Sequence, residues 1–247
     1  MSRTAVIAGV GPRIGESTAR RCAMEGCSVG LFARSETYLD ELASTLTEET
    51  DGEALAVPTD ITDSEQVTAG FETVRERYGP VDILVNNAYP TGENESGLAS
   101  PGDGPLGSAA DAFERSWRVW AQGAFYCSEE AAADMLDTDG GTIIFTGSAA
   151  AVRGTGSAAH HSAGFAGRGL ARSLANELWP AGIHIAHVLV DGAVGAPGDR
   201  EWSDLPDEEW IHPDHVAETY WHLIEQPESA WTLELDIRAH ASDISFG

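Results

Sequence analysis

The chain has 247 residues and is strongly acidic, with 14 basic against 40 acidic side chains and a formal net charge of −26. All 14 basic residues are arginines, since the sequence contains no lysine. A surface this anionic repels phosphate groups, which argues against nucleic acid and against an anionic membrane as partners. The composition indicates a protein adapted to concentrated salt, where a Debye length of about 3 Å at 1 M screens self-repulsion; an ordinary acidic cytosolic protein is the alternative.

Short apolar runs alternate along the chain with helical patterns, in the order typical of βαβ units on a parallel sheet. The predicted strands are Thr4–Ala8, Ser28–Ala33, Ala54–Pro58, Ile83–Asn86, Thr142–Thr146, Ile183–Val190 and Thr232–Ile237. The predicted helices include Glu16–Glu25, Ser64–Tyr78, Ala109–Leu136, Ala158–Leu178 and Pro213–Glu225. A chain of this length suits one α/β domain over residues 1–247, a doubly wound parallel sheet of about seven strands with helices on both faces.

The stretch Thr91–Ser108 interrupts this alternation. It is rich in Gly, Pro and Ser and it is acidic, which predicts a loop insertion. In a doubly wound sheet it follows the carboxyl end of a strand, where ligands bind. A lid over a ligand and an ordinary surface insertion both fit this position.

A glycine-rich turn follows the first strand. The segment from Gly9 to Gly15 leads into the helix predicted from Glu16, and Gly9, Gly11, Ile14 and Gly15 within it are predicted to contact the cofactor. Glycines at such a turn let the backbone approach a pyrophosphate, while the helix N-terminus offers free N–H groups. The placement after a strand and before a helix predicts a dinucleotide site.

Motifs at matching places along nearly the whole chain resemble those of the short-chain dehydrogenase/reductase family. The matching segments are Gly9 to Gly15, Asp60-Ile61, Asn86-Asn87-Ala88, Thr146-Gly147-Ser148, Ser173–Leu178 and Asp191-Gly192. The resemblance implies a Rossmann fold, a nicotinamide cofactor, a small-molecule substrate and oxidoreductase ancestry. It also implies a homodimer or homotetramer built through paired long helices.

The resemblance places the cofactor against particular positions. It implies that Asp60 and Ile61 lie near the adenine and that Asn86 and Ala88 lie near the ribose. Arg34 follows the second strand, where no acidic residue is present to accept hydrogen bonds from a ribose 2′-hydroxyl. An arginine there pairs with a 2′-phosphate, which favours NADP over NAD; a solvent-facing Arg34 is the alternative.

Arg13 departs from the family pattern, because it occupies the place of the second glycine of the turn. A side chain there crowds the dinucleotide. Two outcomes stay open: the guanidinium of Arg13 pairs with phosphate, or its bulk closes the site. Whether a nucleotide binds at all depends on which of them holds.

The resemblance also implies a catalytic set of Ser, Tyr, Lys and Asn, in which the Lys follows the Tyr by one helical turn. Thirteen residues beyond Ser148, without a gap, the Tyr position is His161 and the Lys position is Phe165. Trp120 stands where the Asn belongs. A one-residue gap exchanges His161 for His160 and restores neither the phenol nor the ammonium.

Ser148 and His161 are therefore the candidate catalytic residues. A buried neutral imidazole is a plausible base and a poor acid, and Phe165 is expected to enlarge the apolar wall beside it. A histidine that merely fills the space of a lost tyrosine is the alternative. Tyr89 is interpreted as a packing residue, with a phenol that projects into the crevice as the alternative. The sequence thus predicts weak or absent hydride transfer, with a non-catalytic nucleotide sensor or silent subunit as the second hypothesis.

Cysteine and histidine usage indicates neither disulfides nor a metal centre. Cys22, Cys27 and Cys127 are an odd number without metal-ligand spacing, which suits small core residues. No apolar run approaches the roughly 18 residues of a membrane span. These features predict a cytoplasmic protein without a bound metal.

Overall fold

The computed structural model describes residues 2–90, 110–154, 157–195 and 205–242. The strands are β1 (Thr4–Ala8), β2 (Ser28–Ala33), β3 (Glu53–Pro58), β4 (Ile83–Asn86), β5 (Gly141–Ser148), β6 (Ile183–Val190), β7 (Ala193–Val194), β8 (Trp210–Ile211) and β9 (Glu234–Ile237). The helices are α1 (Ile14–Met24), α2 (Glu36–Glu49), α3 (Ser64–Tyr78), α4 (Ala110–Trp117), α5 (Ala124–Leu136), α6 (Ala158–Leu178) and α7 (Pro213–Ile224).

Seven strands form one parallel sheet in the order β3-β2-β1-β4-β5-β6-β9. The order reverses between β1 and β4, which pair directly from Ala5 with Ile83 to Ala8 with Asn86. In open parallel sheets, ligands bind in the crevice at the carboxyl ends of the strands where the order reverses. The fold therefore places a crevice between the residues that follow β1 and those that follow β4.

Helices cover both faces of this sheet because successive side chains of each strand point to opposite sides. Ala5 and Ile7 of β1 join the core formed with α1, α2 and α7. Val6 and Ala8 join the core formed with α3, α5 and α6. All four side chains are fully buried, so the strand is sealed from solvent on both faces, as expected in the middle of a parallel sheet.

The predicted fold class is confirmed, and the seven predicted strands all belong to the sheet. The helix predicted over Ala109–Leu136 is instead α4 and α5 joined by a π-helical turn at Arg118–Gly123. Helix α2 and the small pair β7 and β8 were not among the predicted elements. The insertion predicted over Thr91–Ser108 lies outside the described residues.

In the described part of the chain, none of the helices combines the length and the apolar character needed to traverse a lipid bilayer.

Candidate functional site

Gly9 brings the turn after β1 against the residues that follow β4. Its φ is +102°, a left-handed conformation that favours glycine, and a Cβ there would lie 2.3 Å from the backbone N and Cα of Ala88. The Asn87 side-chain amide donates a hydrogen bond of 2.8 Å to the Gly9 carbonyl oxygen. The two sides of the crevice are thus held in backbone contact, which requires the absence of a side chain at residue 9.

Gly15 and Gly11 have different structural roles in the same turn. A Cβ on Gly15 would lie 2.6 Å from the Gly9 carbonyl oxygen, so glycine is needed there for packing of α1 against the turn. A Cβ on Gly11 would meet no atom within 4 Å among those described. Gly11 therefore leaves an open surface on the turn, next to the N-terminus of α1, and this is the arrangement that cradles a pyrophosphate.

Arg13 precedes the first residue of α1, Ile14, and it is exposed. Its backbone N–H donates to the Gly11 carbonyl oxygen at 2.7 Å, which tightens the turn. An exposed guanidinium at the positive end of a helix suits an anionic ligand. The structure thus places Arg13 at the rim of the crevice, and both sequence-based alternatives for it stand.

Arg34, Asp60 and Ile61 come from the carboxyl ends of β2 and β3, on the same edge of the sheet. Arg34 is exposed, and Asp60 accepts hydrogen bonds from the backbone N–H and hydroxyl of Thr62 at 3.0 and 2.8 Å. The Ile61 side chain is buried. The residues predicted to hold the adenosine half of a cofactor are therefore brought to one edge of the sheet, and their role stays a prediction.

Asn86 lies at the end of β4 and is buried at the base of the crevice. Its amide nitrogen donates to Ser128 Oγ at 3.0 Å. Within the described residues, the amide oxygen of Asn86 has no hydrogen-bond partner. A buried acceptor of this kind normally has one, so this oxygen is available to a ligand or an ordered water.

A small cavity of about 20 Å³ lies behind Asn86 and Ala88. Its wall includes Ser148, at the end of β5, and Trp120, from the π-helical turn. A water molecule needs roughly 10–15 Å³ of such space, so the cavity has room for about one water. The Ser148 hydroxyl caps the next turn, accepting from the Ala150 N–H at 3.3 Å.

Three aromatic rings from separate elements meet next to this cavity, and one of them, Trp120, lines it. The Tyr89 hydroxyl lies 2.9 Å from Nε2 of His160. Trp120 packs against both, with ring centroids 4.4 Å from His160 and 5.3 Å from Tyr89. The interpretation of Tyr89 as a packing residue is therefore incomplete, because its hydroxyl is paired with an imidazole.

The structure separates His161 from this cluster. Its Nδ1 contacts the backbone carbonyl oxygen of Arg153, and its ring centroid lies 6.3 Å from that of His160. Phe165 is 45 % exposed and is not among the described residues that line the cavity, so its place in an apolar wall stays a prediction. Gly164, one turn after His160, lines the cavity instead. Ser148 lines the same cavity, while a catalytic role for His161 stays a prediction.

The inner face of α6 carries the signal that could have identified His160 from sequence. Residues at helical spacing along that face are small or apolar, and they are buried or line the cavity: Ala163, Gly164, Gly167, Ala171, Ala175 and Leu178. Residues 160, 164, 167, 171, 175 and 178 follow the i, i+3, i+4 pattern of one helix face. His160 is on that face and His161 is not.

Burial sets the protonation states of His160 and Tyr89. Burial lowers the pKa of His160 to about 4, with a smaller contribution from the neighbouring His161. Burial raises the pKa of Tyr89 to about 12. At neutral pH the imidazole is therefore neutral and the phenol keeps its proton, so one can donate to the other.

Among the described residues, no group of three or more His, Cys, Asp and Glu side chains is arranged to hold a metal ion.

Comparison with known proteins agrees with this geometry. Residues 3–204 match the family model described as short chain dehydrogenase. The chain therefore belongs to the short-chain dehydrogenase family, a family of oxidoreductases, as its motifs indicated.

Relatives cover almost the entire chain. An uncharacterized oxidoreductase of Staphylococcus saprophyticus is 28 % identical over 239 residues, which are 96 % of this chain and 97 % of the relative. A short-chain dehydrogenase structure from Rhodopseudomonas palustris is 30 % identical with a TM-score of 0.77, and the match covers 96 % of this chain and 98 % of that one. An alcohol dehydrogenase from the archaeon Thermococcus sibiricus, complexed with 5-hydroxy-NADP, has a TM-score of 0.86 at 24 % identity over the full length of both chains. This last likeness concerns the fold.

Proposed function

We propose that this chain is a nicotinamide-dependent oxidoreductase that binds NADP(H) in the crevice between β1 and β4 and lacks the family's usual proton-transfer residues. The observation that carries the proposal is the backbone contact between Gly9 and Ala88, where a Cβ would lie 2.3 Å from the Ala88 nitrogen. Such contact shapes the crevice at the point where the strand order reverses, the position at which doubly wound sheets bind dinucleotides.

The residues present fit a dinucleotide. The open face of Gly11 and the N-terminus of α1 suit the pyrophosphate, and the unpartnered oxygen of Asn86 supplies an acceptor deeper in the crevice. Arg34 suits a 2′-phosphate, since guanidinium pairs well with phosphate. NADP is therefore proposed over NAD.

The usual proton-transfer residues are replaced in this chain. His160 takes the inner position at the start of α6, Gly164 follows it by one turn, and Trp120 fills the space beneath. Because the sequence contains no lysine, no other segment supplies an ammonium. General acid–base catalysis contributes about 10² to 10⁴-fold, so reduction of simple ketones with NADPH is expected to be slow.

The small cavity supports a second candidate, a nucleotide-binding subunit without catalytic activity. With Trp120 packed on His160, only about 20 Å³ remains beside Ser148. That space is about the size of one water molecule. Under this reading the chain senses nucleotide or accompanies an active relative.

Titration calorimetry in molar KCl tests the proposal. NADP⁺ is expected to bind more tightly than NAD⁺, with no displacement by unrelated anions such as sulfate at equal ionic strength. Absence of heat with both dinucleotides contradicts it. NADP⁺ binding together with failure to exchange hydride with any alcohol or carbonyl favours the non-catalytic subunit.

A further inference from the structure

The hydroxyl of Tyr89 and the ring of His160 form a contact between two separate elements. Tyr89 follows β4 by three residues, and His160 is the third residue of α6. Their 2.9 Å contact joins a phenol to Nε2 of the imidazole. Trp120 packs edge-on against Tyr89, with planes 84° apart, and lies at 4.4 Å from His160. Both partners are thus held in place by the same indole.

Tyr89 and His160 differ in how accessible they are to a substrate. Tyr89 is 47 % exposed and His160 is 9 % exposed. A molecule entering the crevice therefore meets more of Tyr89 than of His160. Trp120, which packs against both rings, lines the same cavity as Ser148, so the pair lies next to that cavity.

We propose that Tyr89 and His160 form the proton-accepting pair of this site, with which the protein oxidises an alcohol at the expense of an oxidised nicotinamide dinucleotide. This inference rests on the proposed function and deepens it. Tyr89 is assigned as the catalytic residue that contacts the substrate hydroxyl. His160 is assigned as a positioning residue that acts through Tyr89.

The step balances in atoms and electrons. The substrate O–H bond breaks and its proton forms a new O–H bond on Tyr89, while the proton that Tyr89 carried moves to Nε2 of His160. The carbinol C–H bond breaks as the C=O bond forms, and the oxidised nicotinamide supplies the acceptor for that hydride. His160 ends as an imidazolium and then releases its proton to solvent.

The charge state of the pair leaves an acceptor behind the phenol. At neutral pH the imidazole of His160 is uncharged and has a lone pair that can accept a proton, because burial lowers its pKa to about 4. The same low pKa makes it a weak base that passes the proton on to solvent readily. Within the described residues, the titratable groups that face His160 are Tyr89, from the end of β4, and His161, on α6.

Two variants and a matched control test the pair. Tyr89→Phe removes the hydroxyl and keeps the ring on Trp120, and His160→Gln keeps a polar side chain. Tyr126→Phe is the control, because the Tyr126 hydroxyl accepts from Gln122 on the same segment, away from the crevice. Circular dichroism establishes that each variant is folded, and calorimetry establishes that each binds NADP⁺.

Long-range proton–nitrogen NMR provides a readout that needs no cofactor and no turnover. The His160 Nε2 resonance is expected to shift in Tyr89→Phe and to stay unchanged in Tyr126→Phe. An unchanged resonance in Tyr89→Phe overturns the proposal, because the hydrogen bond is then absent in solution.

Oxidation of isopropanol, cyclohexanol and benzyl alcohol with NADP⁺ in molar KCl provides the second readout. Tyr89→Phe is expected to lower kcat by about 10² or more, with NADP⁺ affinity unchanged, and His160→Gln to lower kcat less, with a changed pH profile. If Tyr89→Phe oxidises alcohols as fast as the wild type does, this inference alone is overturned. The same holds if the wild type binds NADP⁺ but oxidises none of the alcohols. Failure of the wild type to bind NADP⁺ overturns the proposed function, and with it the role of the pair.

Discussion

The indole of Trp120 packs against the imidazole of His160 with ring centroids 4.4 Å apart. This one contact accounts for much of the chemistry of the site. It contributes to the burial of His160, and burial lowers the pKa of the imidazole. Trp120 also lines the cavity of about 20 Å³ beside Ser148. Trp120 lies in a π-helical turn, a feature often found at functional positions.

Salt is expected to stabilise the fold. The formal net charge of −26 makes the compact state repel itself in dilute buffer, and molar salt reduces the range of that repulsion to about 3 Å. The melting temperature, followed by circular dichroism at neutral pH, should rise through a series of KCl concentrations from millimolar to molar. Sucrose at matched water activity is the control and should not reproduce the full rise. A melting temperature indifferent to KCl contradicts the halophilic interpretation.

Acid is expected to destabilise the protein through its buried histidines. Burial lowers the pKa of His160 and of His187 to about 4, whereas the unfolded value is near 6.5. The unfolded chain therefore binds more protons between these values, so stability present above pH 6.5 falls as the pH drops toward 4.

His187 gives the cleaner test of this pH dependence, because it is 3 % exposed and outside the proposed proton pair. Its lowered pKa should make about 3 kcal/mol of stability disappear over this interval. The free energy of urea unfolding should change less between pH 6.5 and about 4 in His187→Gln than in the wild type. The carboxylates titrate in both proteins and cancel in the comparison. Equal pH dependence in the two proteins contradicts the prediction.

Alanine substitution at two glycines of the turn after β1 should change the free energy of unfolding by very different amounts. Gly9→Ala places a Cβ 2.3 Å from the backbone of Ala88 at a φ of +102°, and it should destabilise the fold by roughly 2 kcal/mol or more. Gly11→Ala meets open space and should change stability by no more than about 0.5 kcal/mol. Urea unfolding of the pair measures both effects. Equal losses of stability would show that the two sides of the crevice are not in contact.

Arg34 should determine the choice between the two dinucleotides. Charge-assisted hydrogen bonds contribute about 1.5–3 kcal/mol, so Arg34→Ala should weaken NADP⁺ binding by roughly 10- to 100-fold. NAD⁺ affinity should stay unchanged. Arg77→Ala, which removes an exposed arginine paired with Glu53 on another part of the surface, controls for the loss of one positive charge. Parallel losses for NADP⁺ in the two variants contradict the assignment.

Periodicity and motif order were sufficient to predict the sheet and the crevice. The seven strands follow from apolar runs that are buried on both faces, and glycine spacing marks the turn after β1. Tertiary contacts were needed for the rest. Tyr89 looked like a packing residue because no pattern along β4 indicates that its hydroxyl meets His160 on α6. The choice between His160 and His161 depended on a count across a loop, where one residue changes the face of the helix.

The small elements were missed for related reasons. Strands β7 and β8 are two residues each, too short for an alternating pattern. The turn at Arg118–Gly123 continues the apolar pattern of a helix, so the change from α to π geometry has no sequence signature of its own. The effect of Arg13 on a ligand was also beyond prediction from the sequence. The fold sets the position of its backbone, but its effect depends on where its guanidinium lies.

A crystal structure grown in brine with NADP⁺ tests the central claim most directly. The dinucleotide is predicted to lie along Gly11 and the N-terminus of α1, with its 2′-phosphate at Arg34 and the Tyr89 hydroxyl still bonded to His160. An empty crevice with the guanidinium of Arg13 in the pyrophosphate position would contradict the account.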